Sequence, residues 1–363
     1  MKKAITDIKK GRSRILGTGL VALDVVLAEG NPAQYFAGGT CGNVLAILAH
    51  LGWAAVPLAR IGRDRASSIV RSDLERWGVD LSLLSVPPTT KTPVIVQRLR
   101  KDVKGIPFHT FSCYCPGCGR RLPGFQPLTL ESLPSILPHL KDSFVLFIDR
   151  VSPSSLALAR QAVEENIVVF FEPPSASDDK NFRALLDCAT IVKYSHDRID
   201  ELDTAGSRRL LEIQTMGRGG LRFRTKLADF GDHWHHLDAQ PILNLIDSAG
   251  AGDWLSVGLI QSACQGGLRR LSKLSRTALL RSLALGQSLA AWNCGFIGAR
   301  GGMYDARVDE IPQIVKSHLI ESTKQSATHD PRPDFQDFSQ VCESCKDASK
   351  IGTVNRTRSR IGT

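Results

Sequence analysis

The sequence lacks any apolar run near the ~18 residues that a membrane-spanning helix requires. It also lacks the apolar segment of a signal peptide, because further charged residues follow the basic start at Lys2 and Lys3. No internal repeat is present. The nine cysteines of such a chain favour free thiols or metal ligands over a disulfide scaffold. We therefore expect a cytoplasmic protein without a membrane partner.

The positive charge is concentrated at the two ends of the chain. The formal net charge is +10, but residues 1–14 hold six basic residues against one acidic residue, and residues 346–363 hold five against one. This distribution favours solvated tails and argues against a nucleic-acid partner, although an electrostatic contact with an acidic partner stays open. We expect a basic N-terminal tail over 1–14, one domain over 15–320 and a polar, basic tail over 321–363.

Strand and helix signals alternate along the central part of the chain. Short apolar runs predict strands over 16–26, 93–99, 144–148, 167–171, 190–193 and 211–215. Amphipathic spacing predicts helices over 42–51, 66–77, 153–165 and 180–187. The alternation predicts a parallel sheet that helices cover on both faces. Such sheets bind ligands beyond the carboxyl ends of their strands.

The most informative segment spans residues 241–263. Its apolar residues 241–246 predict a buried strand, residues 248–252 predict a turn of small residues, and Trp254 begins an apolar stripe with helical spacing. The N–H groups at a helix start attract an anion, and small residues let a phosphate approach closely. Asp253 in the first turn could take a proton from a hydroxyl that attacks a phosphoryl group. The segment indicates phosphoryl transfer, with an ordinary strand–helix turn as the alternative.

Four segments resemble motifs of the ribokinase-like (PfkB) carbohydrate and nucleoside kinases. The string Asp-x-x-Gly-Ala-Gly-Asp at 247–253 resembles their C-terminal signature, and Gly-Gly-x-x-x-Asn at 38–43 resembles the start of their N-terminal helix. Segments 17–24 and 61–80 are similar to two further blocks of that family. The resemblance implies an α/β fold, a three-layer αβα sandwich with a mainly parallel sheet. It also implies a small β lid over the sugar, here including residues 90–127 with their Cys-rich insertion.

The resemblance implies ATP-dependent phosphorylation of a hydroxyl on a sugar or sugar-containing small molecule, with ATP and Mg²⁺ as cofactors. It implies that Asp253 is the general base. It also implies that the backbone of Ala249, Gly250, Ala251 and Gly252 forms an anion hole. The acceptor-binding positions are Asp24, Gly38, Gly39 and Asn43, which could instead be turn and helix-start residues. The nucleotide-binding positions are Lys193, Thr215, Gly217 and Gly220. A nucleoside is an alternative acceptor, and a homodimer formed through the lid is a further expectation.

Two segments depart from the pattern of that family. Ser195 and Arg198 stand where an Asn-x-x-Glu motif helps to organise magnesium and phosphates. Asp197 or Asp200 could supply the missing carboxylate, or the nucleotide could hold the magnesium ion itself. Glu172 begins a Glu-Pro-Pro sequence where Asp-Pro-Asn is usual. These changes leave a second hypothesis, a catalytically weakened sugar- or nucleotide-binding protein with a regulatory role.

Two Cys-x-x-Cys pairs predict a structural zinc site. Cys115 and Cys118 flank a Pro-Gly turn, and Cys342 and Cys345 repeat the spacing near the C-terminus. Four thiolates would complete a tetrahedral zinc site that fastens the C-terminal tail to the lid. Unligated thiols and redox pairing within each Cys-x-x-Cys are the alternatives. One ligand could instead come from Cys113 or His109.

Overall fold

The structure is a computed structural model that describes residues 12–204, 207–242, 244–317, 341–342 and 344–345. The two tails predicted from the sequence lie almost entirely outside these residues. Among the helices of the described part, none is both long enough and apolar enough to cross a bilayer.

The larger sheet contains eight described strands. In spatial order they are β12 (His235–Leu237), β11 (Leu221–Thr225), β10 (Leu211–Thr215), β9 (Ile191–Ser195), β8 (Val168–Phe171), β7 (Val145–Ile148), β1 (Arg14–Thr18) and β4 (Ala54–Leu58). The strands from β10 to β4 run parallel, and β11 and β12 add an antiparallel edge. The mainly parallel sheet predicted from the alternation of strands and helices is confirmed.

Helices cover both faces of this sheet. They are α1 (Thr40–His50), α2 (Arg65–Arg76), α3 (Leu133–Ile136), α4 (Pro153–Glu164), α5 (Lys180–Cys188), α6 (Ala251–Ala263), α7 (Gly267–Leu271), α8 (Arg276–Asn293) and α9 (Glu310–Ser317). Side chains alternate between the faces of a strand. Val145 and Phe147 of β7 accordingly join a core with α1, α6 and α8, whereas Leu146 and Ile148 join one with α4 and α5. The predicted three-layer αβα sandwich is therefore confirmed.

A smaller sheet, which we call the lid, stands apart from the larger one. Its strands in spatial order are β3 (Gln34–Gly38), β2 (Ala22–Ala28), β5 (Val94–Lys101) and β6 (Pro107–Ser112). Asp24 lies on β2, in register with Phe36 of β3 and Ile95 of β5. After β6 the chain forms a hairpin over residues 113–122, the lid hairpin, in which Tyr114 and Arg121 make an isolated bridge. The lid therefore carries two of the predicted acceptor residues, Asp24 and Gly38.

Two predicted strands differ from the structure. The segment 16–26 forms one strand in each sheet, because the chain leaves the larger sheet where the N–H of Leu20 donates to the Asp149 carboxylate (2.8 Å). The segment 241–246 forms no strand in its described residues, so that prediction was wrong. The N–H of Ile246 donates to the carbonyl of Cys294, which follows α8. The described residues of this run are exposed or only partly buried, so its apolar pattern did not distinguish a loop beside a helix end from a buried strand.

Candidate functional site

The turn before α6 has a backbone that only glycine fits at its centre. Gly250 has φ 74° and ψ −3°, and a Cβ atom there would lie 2.3 Å from the carbonyl oxygen of Ala299. α6 begins at the next residue, with Asp253 in its first turn. The turn and the helix therefore follow the sequence prediction, although the strand before them does not.

Free backbone N–H groups cluster at the start of α6. In the described structure, the backbone N–H groups at this helix start that have no acceptor are those of Gly250, Gly252 and Asp253. The N–H of Ala249 instead donates to the Asp247 carboxylate (2.9 Å), and the N–H of Ala251 donates to the Ser248 carbonyl (3.2 Å). Free N–H groups and the helix dipole together favour an anion. The arrangement differs from the predicted one, in which the backbone from 249 to 252 formed the hole.

Asp253 is a buried carboxylate beside these N–H groups. Its Oδ2 atom accepts a hydrogen bond of 2.7 Å from Nδ2 of Asn43. The pKa of Asp253 is raised to about 7, mainly because burial penalises the charged form and secondly because the Glu172 carboxylate is near. Lys193 and the bond from Asn43 act in the opposite direction. A carboxyl group that titrates near neutral pH suits a general base.

Asp24 is also a buried carboxylate, and glycine backbone surrounds it. A Cβ atom at Gly38 would lie 2.0 Å from the Asp24 carboxyl group, and one at Gly39, where φ is 77°, would lie 2.4 Å from the Leu20 carbonyl oxygen. Gly38 therefore makes space for Asp24, whereas Gly39 makes space for the Leu20 carbonyl and forms the turn into α1. Burial raises the pKa of Asp24 to about 7, and the Arg300 guanidinium opposes that rise.

Arg300 connects the predicted acceptor residues, and the sequence analysis did not identify it. Its Nε donates to Asn43 Oδ1 (3.0 Å), and its Nη2 donates to the Ala37 carbonyl (2.6 Å) and to Asp73 Oδ2 (2.9 Å). Because the amide oxygen of Asn43 accepts from Arg300, its Nδ2 is left to donate to Asp253. Arg300 thus sets the orientation of Asn43. No local spacing in the sequence indicates this role.

Lys193 is buried beneath the start of α6 and is not the exposed residue common at a strand end. Its Nζ donates to Glu172 Oε1 (2.5 Å), to the Gly252 carbonyl (2.8 Å) and to Ser256 Oγ (3.0 Å). An ammonium group has three donors, and all three are used here. Lys193 therefore fixes the helix start and neutralises Glu172, while direct nucleotide binding stays a prediction.

The other predicted nucleotide residues lie at the turn after β10. Thr215 ends β10 in register with Ser195 of β9. Gly217 and Gly220 in the following turn both have positive φ, and the Met216 N–H donates to the Gly220 carbonyl (2.9 Å). The turn lies at the carboxyl edge of the sheet, where open α/β sheets bind ligands.

The carboxylates considered as replacements for the missing glutamate do not form a magnesium site. Asp197 and Arg198 are exposed. The side chain of Asp200 is 93% exposed and lies 3.6 Å from Nδ1 of His196. Magnesium requires near-octahedral oxygen ligands and is often held mainly by substrate phosphates. The described residues after β9 therefore do not fit a protein-held Mg²⁺.

Two lid side chains contact the turn before α6. Gln97 Nε2 donates to Oδ2 of the fully buried Asp247 in a short hydrogen bond, and Nδ1 of His109 lies 3.1 Å from Oδ1. The Gly298 N–H donates to the same carboxylate (2.9 Å). The lid is therefore closed onto the anion site. The Oε1 atom of Gln97 is buried and has no donor among the described residues, so it can accept a hydrogen bond from a ligand.

The structure brings the four predicted metal-ligating cysteines together. The sulfur atoms of Cys115, Cys118, Cys342 and Cys345 all lie within 4.8 Å of one another. Neither alternative ligand joins this group, because Cys113 is outside it and His109 contacts Asp247. Four further cysteines lie in or beside apolar segments, which predicts core positions; Cys41, Cys264 and Cys294 are buried, whereas Cys188 is only partly buried.

Comparisons with known proteins identify the fold. No protein-family model matches the sequence, and no curated protein sequence matches it. A fructokinase with bound ATP from Xylella fastidiosa is similar in structure, with 18% identity and a TM-score of 0.63 over 79% of this chain and 93% of that chain. Ribokinase from Giardia lamblia matches with 15% identity and a TM-score of 0.63 over 85% and 99% of the two chains.

A third similar structure is aminoimidazole riboside kinase from Salmonella enterica, complexed with aminoimidazole riboside and an ATP analogue. It shares 18% identity and a TM-score of 0.60 over 84% of this chain and 100% of that chain. All three are sugar or nucleoside kinases with the ribokinase fold. The resemblance inferred from the sequence motifs is thus confirmed at the level of the fold.

Proposed function

We propose that the protein transfers a phosphoryl group from ATP to a hydroxyl of a sugar or sugar-containing small molecule. The observation that carries this proposal is the buried Asp253 carboxylate beside free N–H groups at the start of α6. Phosphoryl transfer requires a base for the attacking hydroxyl and stabilisation of the charge on the transferred group. The arrangement offers both, and the kinases that share the fold support the reaction class.

In this mechanism the acceptor hydroxyl binds within reach of Asp253, whose carboxylate Asn43 orients. The hydroxyl oxygen forms a bond to the γ-phosphorus while the bond from that phosphorus to the β–γ bridging oxygen breaks. The hydroxyl proton passes to Asp253, which later releases it to solvent. The free N–H groups of Gly250 and Gly252 stabilise the charge on the transferred phosphoryl oxygens. Magnesium enters only as part of the MgATP substrate.

The acceptor in this proposal carries several hydroxyl groups. The Asp24 carboxylate and the unpartnered Oε1 atom of Gln97 both accept hydrogen bonds, and hydroxyls are the donors that sugars present. The ribose of a nucleoside presents the same groups, so a nucleoside kinase is the alternative within this class. The reaction does not use zinc, because four thiolates around a tetrahedral ion leave no position for a substrate.

A sugar- or nucleotide-binding protein with weakened catalysis is the second candidate. Ser195 and Arg198 favour it, because the end of β9 offers no carboxylate for magnesium at either position.

Two further expectations also stay predictions, a cytoplasmic location and pairing of two chains through the lid. Exposed Phe108 and Phe111 on the edge strand β6 support the pairing.

ADP formation measured against a panel of pentoses, hexoses and nucleosides separates the candidates. The kinase proposal expects ADP and a phosphate ester with one class of acceptor. A preparation of Asp253→Asn protein, purified identically, controls for contaminating kinases. Acceptor binding by calorimetry without ADP formation would favour the second candidate, and absence of both binding and turnover across the panel would contradict both.

A further inference from the structure

Four cysteine side chains meet where the C-terminal segment contacts the lid hairpin. Cys118 of the hairpin and Cys342 of the segment are separated by 224 residues, and Cys115 and Cys345 are separated by 230. All four sulfur atoms nevertheless lie within 4.8 Å of one another. Thiols are weak hydrogen-bond partners, so their mutual contacts alone give little reason for this convergence.

The spacing of the sulfur atoms fits ligands of a shared ion. Cys115 Sγ lies 3.7 Å from Cys345 Sγ, and Cys118 Sγ lies 3.8 Å from Cys342 Sγ. Zinc binds thiolates tetrahedrally at about 2.3 Å, which places its sulfur ligands about 3.8 Å apart. A disulfide would instead bring two sulfur atoms to about 2.0 Å. The observed distances match the tetrahedron.

The lid hairpin has a compact turn that leaves room for an ion. The Gly119 N–H donates to the Cys115 carbonyl and the Cys115 N–H to the Arg120 carbonyl, both at 2.8 Å. A Cβ atom at Gly117 would lie 3.7 Å from the Cys345 sulfur and 3.8 Å from the Cys115 sulfur. Gly117 thus lies beside the cluster, at ordinary contact distance from two of its sulfur atoms.

Independent contacts hold the second pair of cysteines. The Cys345 N–H donates to the Cys342 carbonyl (3.1 Å), which closes a turn within the pair. Arg120 Nη1 of the hairpin donates to Ser344 Oγ (3.1 Å), and Cys342 is only 6% exposed. Arg120 also adds a positive charge near a site that would carry a net negative charge when four thiolates bind a divalent ion.

We propose that Cys115, Cys118, Cys342 and Cys345 bind one Zn²⁺ ion that fastens the C-terminal segment to the lid. Binding releases the thiol protons, and the four thiolates fill the coordination sphere, so the site is structural. Residues 341–342 and 344–345 then belong to the lid assembly although they are distant from it in sequence. The proposal does not depend on the reaction or on the acceptor.

Metal analysis of the full-length protein, purified without added metal, tests the proposal. We expect one zinc ion per chain, and cobalt exchanged into the site should give the visible bands of tetrahedral Co²⁺ with thiolate ligands. Cys118→Ser and Cys345→Ser should each reduce zinc retention after dialysis against a chelator by tenfold or more. Cys113→Ser is the matched control, because this exposed cysteine is near the site but outside the cluster.

The wild-type measurements decide the proposal even if a serine variant fails to fold. Wild-type protein without stoichiometric zinc and without tetrahedral cobalt bands would overturn it. Iron in place of zinc, disulfides detected by intact mass in protein purified under reducing conditions, or equal zinc loss in the Cys113→Ser control would also overturn it.

Discussion

Replacement of Asp253 by asparagine should abolish turnover and also make the protein more stable. Asparagine keeps the shape of the side chain, and its oxygen can still accept the hydrogen bond from Asn43. It cannot take the proton of an attacking hydroxyl, so turnover should fall by at least about 100-fold. The gain in stability has the same origin as the catalytic role, which is the burial of a carboxylate.

The size of that gain follows from the pKa. Folding raises the pKa of Asp253 from 3.8 to about 7, so the folded protein holds this proton more tightly than the unfolded chain. Each pKa unit corresponds to about 1.4 kcal/mol, so the buried charge costs up to about 4 kcal/mol above pH 7. As the pH falls from about 7 to 3.8, the folded group is protonated first and the cost disappears. The asparagine variant has no such titration.

Thermal unfolding at pH 8 and pH 5 measures the effect. A free-energy difference of 1 kcal/mol shifts Tm by about 1.3 °C in a protein of 363 residues, because the unfolding entropy is about 2.1 cal/mol/K per residue. We therefore expect Asp253→Asn to melt several degrees above the wild type at pH 8, with a smaller difference at pH 5. Asp178→Asn is the control, because the side chain of Asp178 is fully exposed and should affect neither stability nor turnover.

Each half of this prediction can fail separately. Wild-type turnover in the Asp253→Asn variant would exclude the carboxylate as the base. A variant that is no more stable than the wild type at pH 8, or whose gain is equal at both pH values, would show that the fold does not hold an unfavourable buried charge at this position.

Three further substitutions test the surroundings of the base. Glu172→Gln should move the acid limb of the pH profile of kcat/KM to a pH below its wild-type position near pH 7, because the Glu172 charge raises the pKa of Asp253. An active variant whose acid limb does not move would contradict this effect of Glu172. Arg300→Lys should lower kcat/KM about tenfold or more while the fold is kept, because lysine lacks the planar guanidinium group that orients Asn43. Unchanged kinetics would show that Arg300 does not orient Asn43 for catalysis. His109→Ala should increase KM for the acceptor more than it lowers kcat, because it removes a lid contact to the turn before α6, and an unchanged KM would contradict a closing role.

The sequence predicted the elements with clear local periodicity, but it left others without a prediction, including β4 and the longest helix, α8. Four predicted helices begin and end within two residues of their predicted limits, those over 42–51, 66–77, 153–165 and 180–187. The wrong strand predictions lie where the same sequence pattern is compatible with two different structures. Residues 16–26 are mostly apolar, with Thr18 and Asp24 as exceptions, but their pattern does not indicate that two separate sheets share them.

The candidate site was predicted where its residues belong to a motif and was missed where they act through distant contacts. Asp253 and Gly250 belong to one short string of residues. Arg300 contacts Asn43 across 257 residues, and His109 contacts Asp247 across 138 residues. No single sequence contains the information that two such positions meet, because the contact depends on how the lid and the sandwich pack.

The change at Glu172 does not by itself favour lost catalysis. Glu172 has a complete set of partners in Lys193 and Ser256, and removal of one member of a buried ion pair typically costs about 3–5 kcal/mol. Folding alone is therefore a sufficient reason for that pair. Asp253 is different, because its buried charge makes the folded protein less stable. A protein that only binds a sugar gains nothing from that destabilisation, whereas a base that titrates near neutral pH requires it, and this difference favours the kinase over the binding protein.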